Sequence, residues 1–341
     1  MNKALVTGGA GFIGSNLVSK LLNDGWDVIL YDNLSRAGTK KNLEWLKKSK
    51  NSSRLTIVIE DVRREKQVKK YVKKVDVVYH LAAQVAVTSS LDNPREDFEI
   101  NAGGTLNVLE AARKTKHKPI VVYSSTNKVY GSQGNSRYKE GDTRYLNLTY
   151  PMGINEEVSL DFHSPYGCSK GVADQYTRDY YRIFGLPTIV FRQSCIYGNR
   201  QMGFEDQGWM AHFIISVLLG RPLTVFGDGK QVRDALYVDD LISAFLKATD
   251  GINKTKGEIY NIGGGVKNSI SLLEFIRILE KRFGKKIRLK FGKERIGDQK
   301  VFISDNSKLE KSLNWKPKVE LEEGIEKLIV WVEDNVSLFN K

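Results

Sequence analysis

Cysteine is scarce in this sequence of 341 residues, which contains only Cys168 and Cys195. Two cysteines cannot form a disulfide framework, and they are too few for a structural zinc site. We therefore expect a reducing compartment and no bound metal. No apolar run approaches the roughly 20 residues that a helix needs to span a bilayer, so we expect no membrane association. Because the first residues lead directly into a strand and a glycine loop, we expect no signal peptide and a cytoplasmic location.

Acidic residues are in the minority, with 40 Asp and Glu against 53 Lys and Arg, and the formal net charge is +13. The lysines occur in groups with helical spacing, which is typical of solvated helix faces. A positive surface also attracts anionic small molecules over long distances. No nucleic-acid-binding motif accompanies the charge. Solvated helix faces are therefore the first interpretation of the charge and attraction of a small anionic partner is the second, and we predict no nucleic acid.

The N-terminal segment has the order strand, glycine turn, helix, strand and acid. Residues 4–6 are apolar, and Gly8, Gly11 and Gly14 follow them. Glycines let the backbone approach a pyrophosphate at the helix N-terminus, where N–H groups and the helix dipole favour negative charge. Asp32 ends the next strand, where a carboxylate would bind ribose hydroxyls and repel a 2′-phosphate. This pattern predicts a site for NAD rather than NADP.

Arg36 leaves the choice of cofactor partly open, because an arginine near the end of the second strand could accept a 2′-phosphate. The acid remains the stronger indication, and we predict NAD.

Short β-branched runs alternate with helical segments along most of the chain, which predicts a parallel sheet with helices on both faces and ligands at the carboxyl ends of the strands. The runs lie at residues 55–59, 77–81, 120–123, 188–191 and 259–262. We predict an α/β fold, a Rossmann-type doubly wound parallel sheet with a smaller C-terminal substrate lobe. The predicted NAD-binding domain comprises residues 1–194 and about 234–264, and the predicted lobe comprises about 195–233 and 265–341.

Residues 164–170 resemble the start of a helix, with Pro165 in its first turn. Tyr166 and Lys170 would then lie one turn apart on the same face. An ammonium beside a phenol lowers the phenol pKa from about 10, and the resulting base could take a hydroxyl proton while hydride leaves the carbon. This spacing is common on exposed helices, so the prediction depends on the cofactor site. We expect Thr126, at the end of the fifth strand, to lie beside the same site.

Together these motifs resemble the extended short-chain dehydrogenase/reductase superfamily, and more closely its nucleotide-sugar epimerases and dehydratases. The resemblance covers nearly the whole chain and implies a tightly bound NAD that is recycled. Further motifs that carry it are Asn101-x-x-Gly104-Thr105, Val232-Arg233-Asp234, Arg295-x-Gly297-Asp298 and Trp315-x-Pro317.

In the 4,6-dehydratases of this superfamily the threonine is followed by Asp and Glu, which act as acid and base in the loss of water. Here the two residues are Asn127 and Lys128, so dehydration is not expected. Residues 124–130, 160–170, 206–209 and 229–234 resemble epimerases that invert C2 of CDP-linked 3,6-dideoxyhexoses. This resemblance implies a redox-neutral inversion through a 2-keto intermediate, in the biosynthesis of surface-polysaccharide sugars.

The resemblance and the strand-end positions define three sets of predicted site residues. The catalytic set is Thr126, Tyr166 and Lys170. The cofactor-binding set is Gly8, Gly11, Phe12, Ile13, Gly14, Asp32, Asn33, Arg36, Asp61, Val62, Leu81, Ala82, Ala83, Asn101, Ser124, Tyr166 and Lys170. The substrate-binding set is Gln84, Thr126, Asn127, Lys128, Gln207, Trp209, Phe226, Arg233 and Arg295, of which the last two match diphosphate-binding arginines of the family.

Several alternatives stay open at this point. A UDP-sugar 4-epimerase would use the same residues on a different substrate, and a nucleotide-sensing regulator would use the same fold without catalysis. Asn127 and Lys128 are either substrate contacts or simple non-carboxylate replacements, and Trp209 and Phe226 either stack on the base or fill the lobe. Cys195 stands where many relatives have an asparagine that contacts substrate. We expect a homo-oligomer, either a dimer or a tetramer.

Overall fold

The computed structural model describes residues 2–295 and 297–339. Its strands are β1 (Lys3–Thr7), β2 (Asp27–Tyr31), β3 (Leu55–Val58), β4 (Val77–His80), β5 (Ile120–Thr126), β6 (Tyr138–Glu140), β7 (Tyr145–Asn147), β8 (Thr188–Gln193), β9 (Cys195–Tyr197), β10 (Leu223–Phe226), β11 (Val232–Tyr237), β12 (Glu258–Ile262), β13 (Ser269–Ser271), β14 (Leu289–Gly292) and β15 (Val301–Phe302). Its α-helices are α1 (Phe12–Asn23), α2 (Thr39–Lys47), α3 (Glu65–Val72), α4 (Val87–Asp92), α5 (Pro94–Phe98), α6 (Gly104–Arg113), α7 (Ser164–Phe184), α8 (Trp209–Leu218), α9 (Val238–Asp250), α10 (Ile252–Thr255), α11 (Leu272–Phe283), α12 (Ser307–Leu313) and α13 (Leu321–Asp334). Within these described ranges, no helix is both long and apolar enough to cross a bilayer.

Seven parallel strands form the central sheet in the order β3-β2-β1-β4-β5-β8-β12. In register, Leu5 of β1 lies between Ile29 of β2 and Val78 of β4. These strands are largely apolar because helices cover both faces of the sheet and bury most of their side chains, whereas the edge strand β3 is partly exposed. The predicted doubly wound Rossmann-type sheet is confirmed.

Helices pack on both faces of this sheet, which gives three layers. On one face, α1 and α9 bury leucines and aromatic residues such as Leu17 and Phe245. On the other, α3 and α6 bury Val68 and Val108 against Leu5 and Val78. The two hydrophobic cores hold the strands rigidly, so the residues at the strand ends are held in fixed positions.

The chain reverses its direction of travel across the sheet beside β1, since β2 and β3 extend to one side and β4, β5, β8 and β12 to the other. At such a switch point the loops after adjacent strands diverge and leave a crevice at the carboxyl edge. Thr7 and His80 end β1 and β4 there, and their side chains are hydrogen-bonded at 2.7 Å. The second ring nitrogen of His80 lies 3.0 Å from the Thr105 hydroxyl. Burial lowers the pKa of His80 to about 3, so this histidine is a neutral structural residue.

A smaller sheet lies in the C-terminal part, where β11 pairs with β13, β15 and β9. Strands β10 and β14 form a separate two-stranded parallel sheet. Of the segment 234–264 that we assigned to the NAD-binding domain, β12 joins the central sheet, whereas the residues up to Tyr237 belong to β11. The exact division into two domains stays a prediction.

The predicted helix at residues 164–170 is α7, which runs from Ser164 to Phe184. Pro165 lies in its first turn, and the Gly167 N–H donates to the Ser164 hydroxyl at 3.2 Å. Ser164 has φ of +70°, a left-handed conformation that is uncommon for a non-glycine residue and recurs at functional sites. Gly185, with φ of +60°, ends the helix. The first turn of α7 lies at the carboxyl edge of the sheet, because Tyr166 lines the same cavity as the end of β5.

Candidate active site

The glycine loop between β1 and α1 leaves no room for side chains. Gly8 has φ of +68°, and a Cβ atom there would lie 2.8 Å from the Ala82 backbone nitrogen. A Cβ atom on Gly14 would lie 2.1 Å from the Gly8 carbonyl oxygen. Because the loop ends at the first turn of α1, the free N–H groups of that turn face the crevice. The loop is therefore a cradle for an anionic group such as a pyrophosphate.

Asp32 follows β2 at the same edge of the sheet and is 8% exposed. Its carboxylate accepts hydrogen bonds from the Ala10 N–H at 3.0 Å and from the Leu34 N–H at 2.8 Å. Burial raises the pKa of Asp32, and these N–H groups partly counteract that shift. Arg36 is directed elsewhere, since its guanidinium lies over the Phe204 ring at 5.6 Å and 3.7 Å from an Asp206 carboxylate oxygen. The environment of Asp32 thus suits ribose hydroxyls.

Asn33 and Asp61 are joined near Asp32 on the wall of the crevice, where the Asn33 amide donates to the Asp61 carboxylate at 2.9 Å. Burial alone would raise the pKa of Asp61, but hydrogen bonds from Arg63 and Asn33 lower it to about 2. Asp61 is therefore an ionised acceptor at neutral pH.

A cavity of about 710 Å³ extends from the glycine loop across the carboxyl edge of the sheet. All but one of the predicted cofactor-binding residues line it. The exception is Asn101, which is 1% exposed and lies behind the wall. Its amide donates to the Gln84 carbonyl at 3.1 Å and accepts from the Gln84 N–H at 2.9 Å. Asn101 therefore positions the loop after β4 and does not face the cavity.

Tyr166 and Lys170 both reach the cavity from the first turns of α7, and Thr126 reaches it from the end of β5. The Lys170 ammonium donates to the Ser124 carbonyl oxygen at 2.5 Å and lies 4.4 Å from the centre of the Tyr123 ring. The three predicted catalytic side chains therefore converge, because β5 and α7 are held together by the core.

The Tyr166 phenol does not have the lowered pKa that the sequence led us to expect. Burial raises its pKa to about 12, while the Thr126 hydroxyl and the positive charge of Arg36 lower it and Asp97 raises it. Lys170 makes no resolved contribution, because its ammonium is directed at the Ser124 carbonyl. The predicted effect of Lys170 on Tyr166 is wrong for this arrangement. The buried phenol is therefore mainly protonated at neutral pH unless a nearby positive charge stabilises its phenolate form.

The pKa of Lys170 is shifted as well. Burial lowers its pKa from 10.5 to about 7, and the carboxylates of Asp174 and Asp97 act in the opposite direction. A lysine with such a pKa can exchange its proton within the physiological range.

A buried ion pair lies beside the predicted catalytic residues. Arg192 donates two hydrogen bonds of 2.9 Å to the Asp174 carboxylate, and the two side chains are 3% and 0% exposed. The same carboxylate accepts from the Ser125 hydroxyl at 2.7 Å, and Arg192 also donates to the Tyr130 hydroxyl at 2.9 Å. This network ties α7 to β5 and β8, and so fixes Thr126 relative to Tyr166.

Besides the catalytic threonine, three predicted substrate-binding residues line the cavity: Gln84, Gln207 and Trp209. Trp209 also packs edge-on against Phe213 at 5.8 Å and Phe275 at 5.1 Å. One side of this indole therefore belongs to the core of the lobe, and another side is open to a ligand.

Cys195 lines the cavity next to Trp209. Burial raises the pKa of its thiol to about 12, so the side chain is neutral and only weakly polar. It offers a ligand neither the donor nor the acceptor strength of an amide.

Asn127, Lys128 and Arg233 lie outside the wall of the cavity and contact the C-terminal segment. The Asn127 amide donates to Gln299 at 3.0 Å, and the Lys128 ammonium lies 3.4 Å from the Asp298 carboxylate. Arg233 forms an ion pair with the same carboxylate. These contacts connect the end of β5 with the smaller lobe, and the two cations share one carboxylate.

Phe226 and Arg295 form a second pair outside the cavity wall. The Arg295 guanidinium lies 4.0 Å from the centre of the Phe226 ring and donates to the Glu205 carbonyl at 2.9 Å. Glu205 belongs to the loop that precedes α8, so this pair adjoins the substrate end of the cavity. Their predicted contact with a ligand stays a prediction.

Apart from Gln207, the sequence did not predict the contribution of the loop of residues 198–208, much of which lines the cavity. Arg200 lies over the Trp45 ring at 4.1 Å, and Met202 lies against Gly38, the residue before α2. Phe204 stacks under the Arg36 guanidinium. Of this loop, the sequence indicated only Gln207 and the motif at residues 206–209. The described residues contain no cluster of three or more His, Cys, Asp or Glu suited to a metal ion.

The fold and this constellation define an enzyme of the extended short-chain dehydrogenase/reductase class, with a dinucleotide cradle at a switch point and a tyrosine and lysine at the sheet edge. The family described as GDP-mannose 4,6 dehydratase matches residues 5–328, and the chain belongs to this family.

Similar proteins include epimerases and dehydratases of almost the same length. CDP-paratose 2-epimerase of Salmonella typhi is 46% identical over 336 residues, which covers 96% of this chain and 98% of that protein. UDP-glucose 4-epimerase of Mycolicibacterium smegmatis is 33% identical, with 96% and 97% covered. The crystal structure of UDP-glucuronic acid 4-epimerase from Bacillus cereus, in complex with UDP-glucuronic acid and NAD, is 31% identical, covers 98% of this chain and 99% of that chain, and has a TM-score of 0.84.

These similarities confirm the predicted family, the prediction that the chain is an enzyme, and NAD as the cofactor. The residues present fit NAD, since the glycine loop is a cradle that a Cβ atom would fill and a buried acid follows β2. Which residues contact the cofactor stays a prediction.

Proposed function

We propose that this chain is a CDP-sugar 2-epimerase, which inverts C2 of a CDP-linked 3,6-dideoxyhexose and so interconverts CDP-paratose and CDP-tyvelose in surface-polysaccharide sugar biosynthesis. The observation that carries the proposal is the 46% identity to CDP-paratose 2-epimerase along nearly the whole of both chains. The residues of the site also support it.

NAD, when bound, accepts a hydride from the sugar and returns it. The glycine loop and the N-terminus of α1 would hold its pyrophosphate, and Asp32 would bind its adenosine ribose. Lys170 reaches the floor of the cavity beside the Ser124 carbonyl. From there its ammonium would bind a ribose hydroxyl of the cofactor.

Tyr166 is the residue that would move the proton. In its phenolate form, which the positive charge of bound NAD⁺ would stabilise, Tyr166 would accept the C2 hydroxyl proton as hydride leaves C2 and a C=O bond forms. Thr126 would hydrogen-bond the same oxygen and hold it in place. In the reverse step the tyrosine returns the proton to the carbonyl oxygen as C2 receives hydride on its other face. The cycle consumes no net oxidant, in agreement with an isomerisation.

The residues after Thr126 support epimerisation over dehydration. Neither Asn127 nor Lys128 has a carboxyl group, and both are bound to residues 297–299. No acid at these positions can protonate a departing hydroxyl.

Inversion also requires the sugar to turn while its nucleotide stays bound. Arg233 and Arg295 would hold the diphosphate, because arginine binds phosphate with two parallel hydrogen bonds. Both lie in the C-terminal part of the chain, Arg233 on β11 and Arg295 beside Phe226 and Glu205. A substrate anchored there leaves the sugar free to present either face to the nicotinamide.

A comparison of substrates tests this proposal. Purified protein is incubated separately with CDP-paratose, UDP-glucose and UDP-glucuronic acid, and the products are identified by proton NMR. We expect an equilibrium mixture of the C2 epimers from the CDP-sugar and no C4 inversion of the UDP-sugars. Conversion of a UDP-sugar with none of the CDP-sugar would establish the 4-epimerase alternative. Binding of all three without conversion would support a nucleotide-sensing regulator.

A further inference from the structure

The carboxylate of Asp97 is buried beside the catalytic helix and has no part in the mechanism above. Asp97 lies on α5 and is 1% exposed. One of its oxygens accepts a hydrogen bond from the Asn101 amide at 3.1 Å. The other accepts a hydrogen bond from the hydroxyl of Ser169. Ser169 lies on α7 between Tyr166 and Lys170 in the sequence. Asp97 is thus held against the first turns of α7.

Asp97 differs from the other buried carboxylate of this region in having no close counter-ion. Asp174 is neutralised by two hydrogen bonds from Arg192. Among the described residues, by contrast, no lysine or arginine nitrogen lies within 4.0 Å of the Asp97 carboxylate. Its hydrogen-bond donors are neutral. A buried carboxylate without a partner is costly to ionise. Burial raises the pKa of Asp97, and the Ser169 hydroxyl and the positive charge of Lys170 both act against that shift.

The backbone around Asp97 is shaped for this arrangement. Residues Glu99–Gly103 form a π-helical turn, an irregularity that is common at functional sites. The turn lets the Asn101 amide reach the Gln84 carbonyl, the Asp97 carboxylate and the Ser169 hydroxyl together, at 3.0–3.1 Å. The Ser169 and Asn101 donors therefore fix the carboxylate in one orientation towards α7.

We propose that Asp97 is a positioning residue whose buried negative charge keeps Lys170 in its ammonium form, and so determines the pH range in which the Tyr166–Lys170 pair works. The proposal concerns the redox step common to any substrate of this site, and does not depend on which sugar is bound.

The charged and titratable groups around Lys170 support the proposal. Burial lowers the pKa of Lys170 to about 7, and the negative charges of Asp174 and then Asp97 act against that shift. Asp97 also raises the pKa of Tyr166. Removing its charge should therefore lower both pKa values. The groups that face Lys170 are Asp174 and Tyr166 on α7, Asp97 on α5, Tyr123 on β5 and His80 on β4.

The test is a direct titration of Lys170 in the purified enzyme with its NAD. Protein labelled with ¹³C at the lysine ε-carbons is titrated by NMR, and the Lys170 signal is assigned by its absence in Lys170→Met. Asp97→Asn keeps the shape and removes the charge, and we expect the Lys170 midpoint to fall by about one pH unit. Asp92→Asn, which removes an exposed charge at the end of α4, is the matched control and should leave the midpoint unchanged.

A catalytic readout accompanies the titration. In Asp97→Asn the high-pH limb of the kcat profile should move to lower pH by the same amount, while Asp97→Glu should restore it. Asp97→Ser serves as a second charge-removing variant if the asparagine variant does not fold. An unchanged Lys170 midpoint in a folded charge-removing variant would overturn the proposal, as would a uniform loss of kcat without any shift of the profile, which a merely structural role would give.

Discussion

Replacing Tyr166 by phenylalanine is expected to lower kcat by about 10³-fold, the range that a positioned acid–base group contributes. The ring is 9% exposed and would be retained, so packing at the start of α7 should not change. The variant loses only the hydroxyl that exchanges a proton with the substrate. We therefore expect NAD to remain bound and the melting temperature to stay close to that of the wild type. Turnover is measured by NMR, and NAD is measured after denaturation.

Tyr176→Phe is the matched control for this prediction, because Tyr176 lies on the same helix and is 48% exposed. It should retain full kcat. A Tyr166→Phe enzyme with more than about a tenth of wild-type kcat would contradict the assigned proton transfer. A loss of activity that follows loss of NAD would also contradict it, since the effect would then be on binding.

Replacing Gly14 by alanine is expected to remove NAD from the enzyme. The added Cβ would lie 2.1 Å from the Gly8 carbonyl oxygen, a contact with backbone that a rotamer change cannot relieve. Either the glycine loop or the start of α1 must move, and the N–H groups that face the pyrophosphate move with it. We expect NAD affinity to fall at least about 100-fold, which corresponds to about 2.7 kcal/mol. The measurement is the molar ratio of NAD released on denaturation of the purified variant.

Gly134→Ala provides the control, since a Cβ at this exposed glycine would meet its nearest atom at 3.8 Å. It should contain as much NAD as the wild type. A Gly14→Ala enzyme with one NAD per chain would show that the cofactor lies elsewhere in the cavity. Thermal unfolding of the variant in excess NAD separates a binding defect from a folding defect.

The parts of the site that could be predicted are those encoded by residues close together in the sequence. The glycine loop, Asp32 and the first turns of α7 each depend on a local pattern, and parallel strands bring their ends to one edge. Once the alternation of strands and helices was recognised, the meeting of Thr126 with Tyr166 and Lys170 followed from sheet topology.

The electrostatics of the site could not be predicted in the same way. The pKa of Tyr166 depends on how deeply α7 is buried and on where the Lys170 ammonium points. Both depend on packing between segments that are far apart in the sequence. Asp97 was missed for the same reason, because nothing in its local sequence shows that it is buried against Ser169. The sequence indicated a tyrosine–lysine pair but not which carboxylate controls its charge.

The roles of Asn127 and Lys128 also required the structure. Their side chain types indicated that dehydration is not expected, but their partners lie about 170 residues further along the chain. They join β5 to the smaller lobe. Similarly, the loop of residues 198–208 contributes to the cavity through contacts with α2 and Arg36 that no periodicity in the sequence reveals.

The central claim is that hydride leaves the sugar and returns to the same carbon without exchange with water. The most direct measurement is the conversion of CDP-paratose in D₂O, with the C2 position of the product examined by proton NMR. The account predicts C2 inversion with no deuterium at C2, since the hydrogen stays on the cofactor during the cycle. Deuterium at C2 of the product would contradict it, because that result requires removal of the C2 hydrogen as a proton.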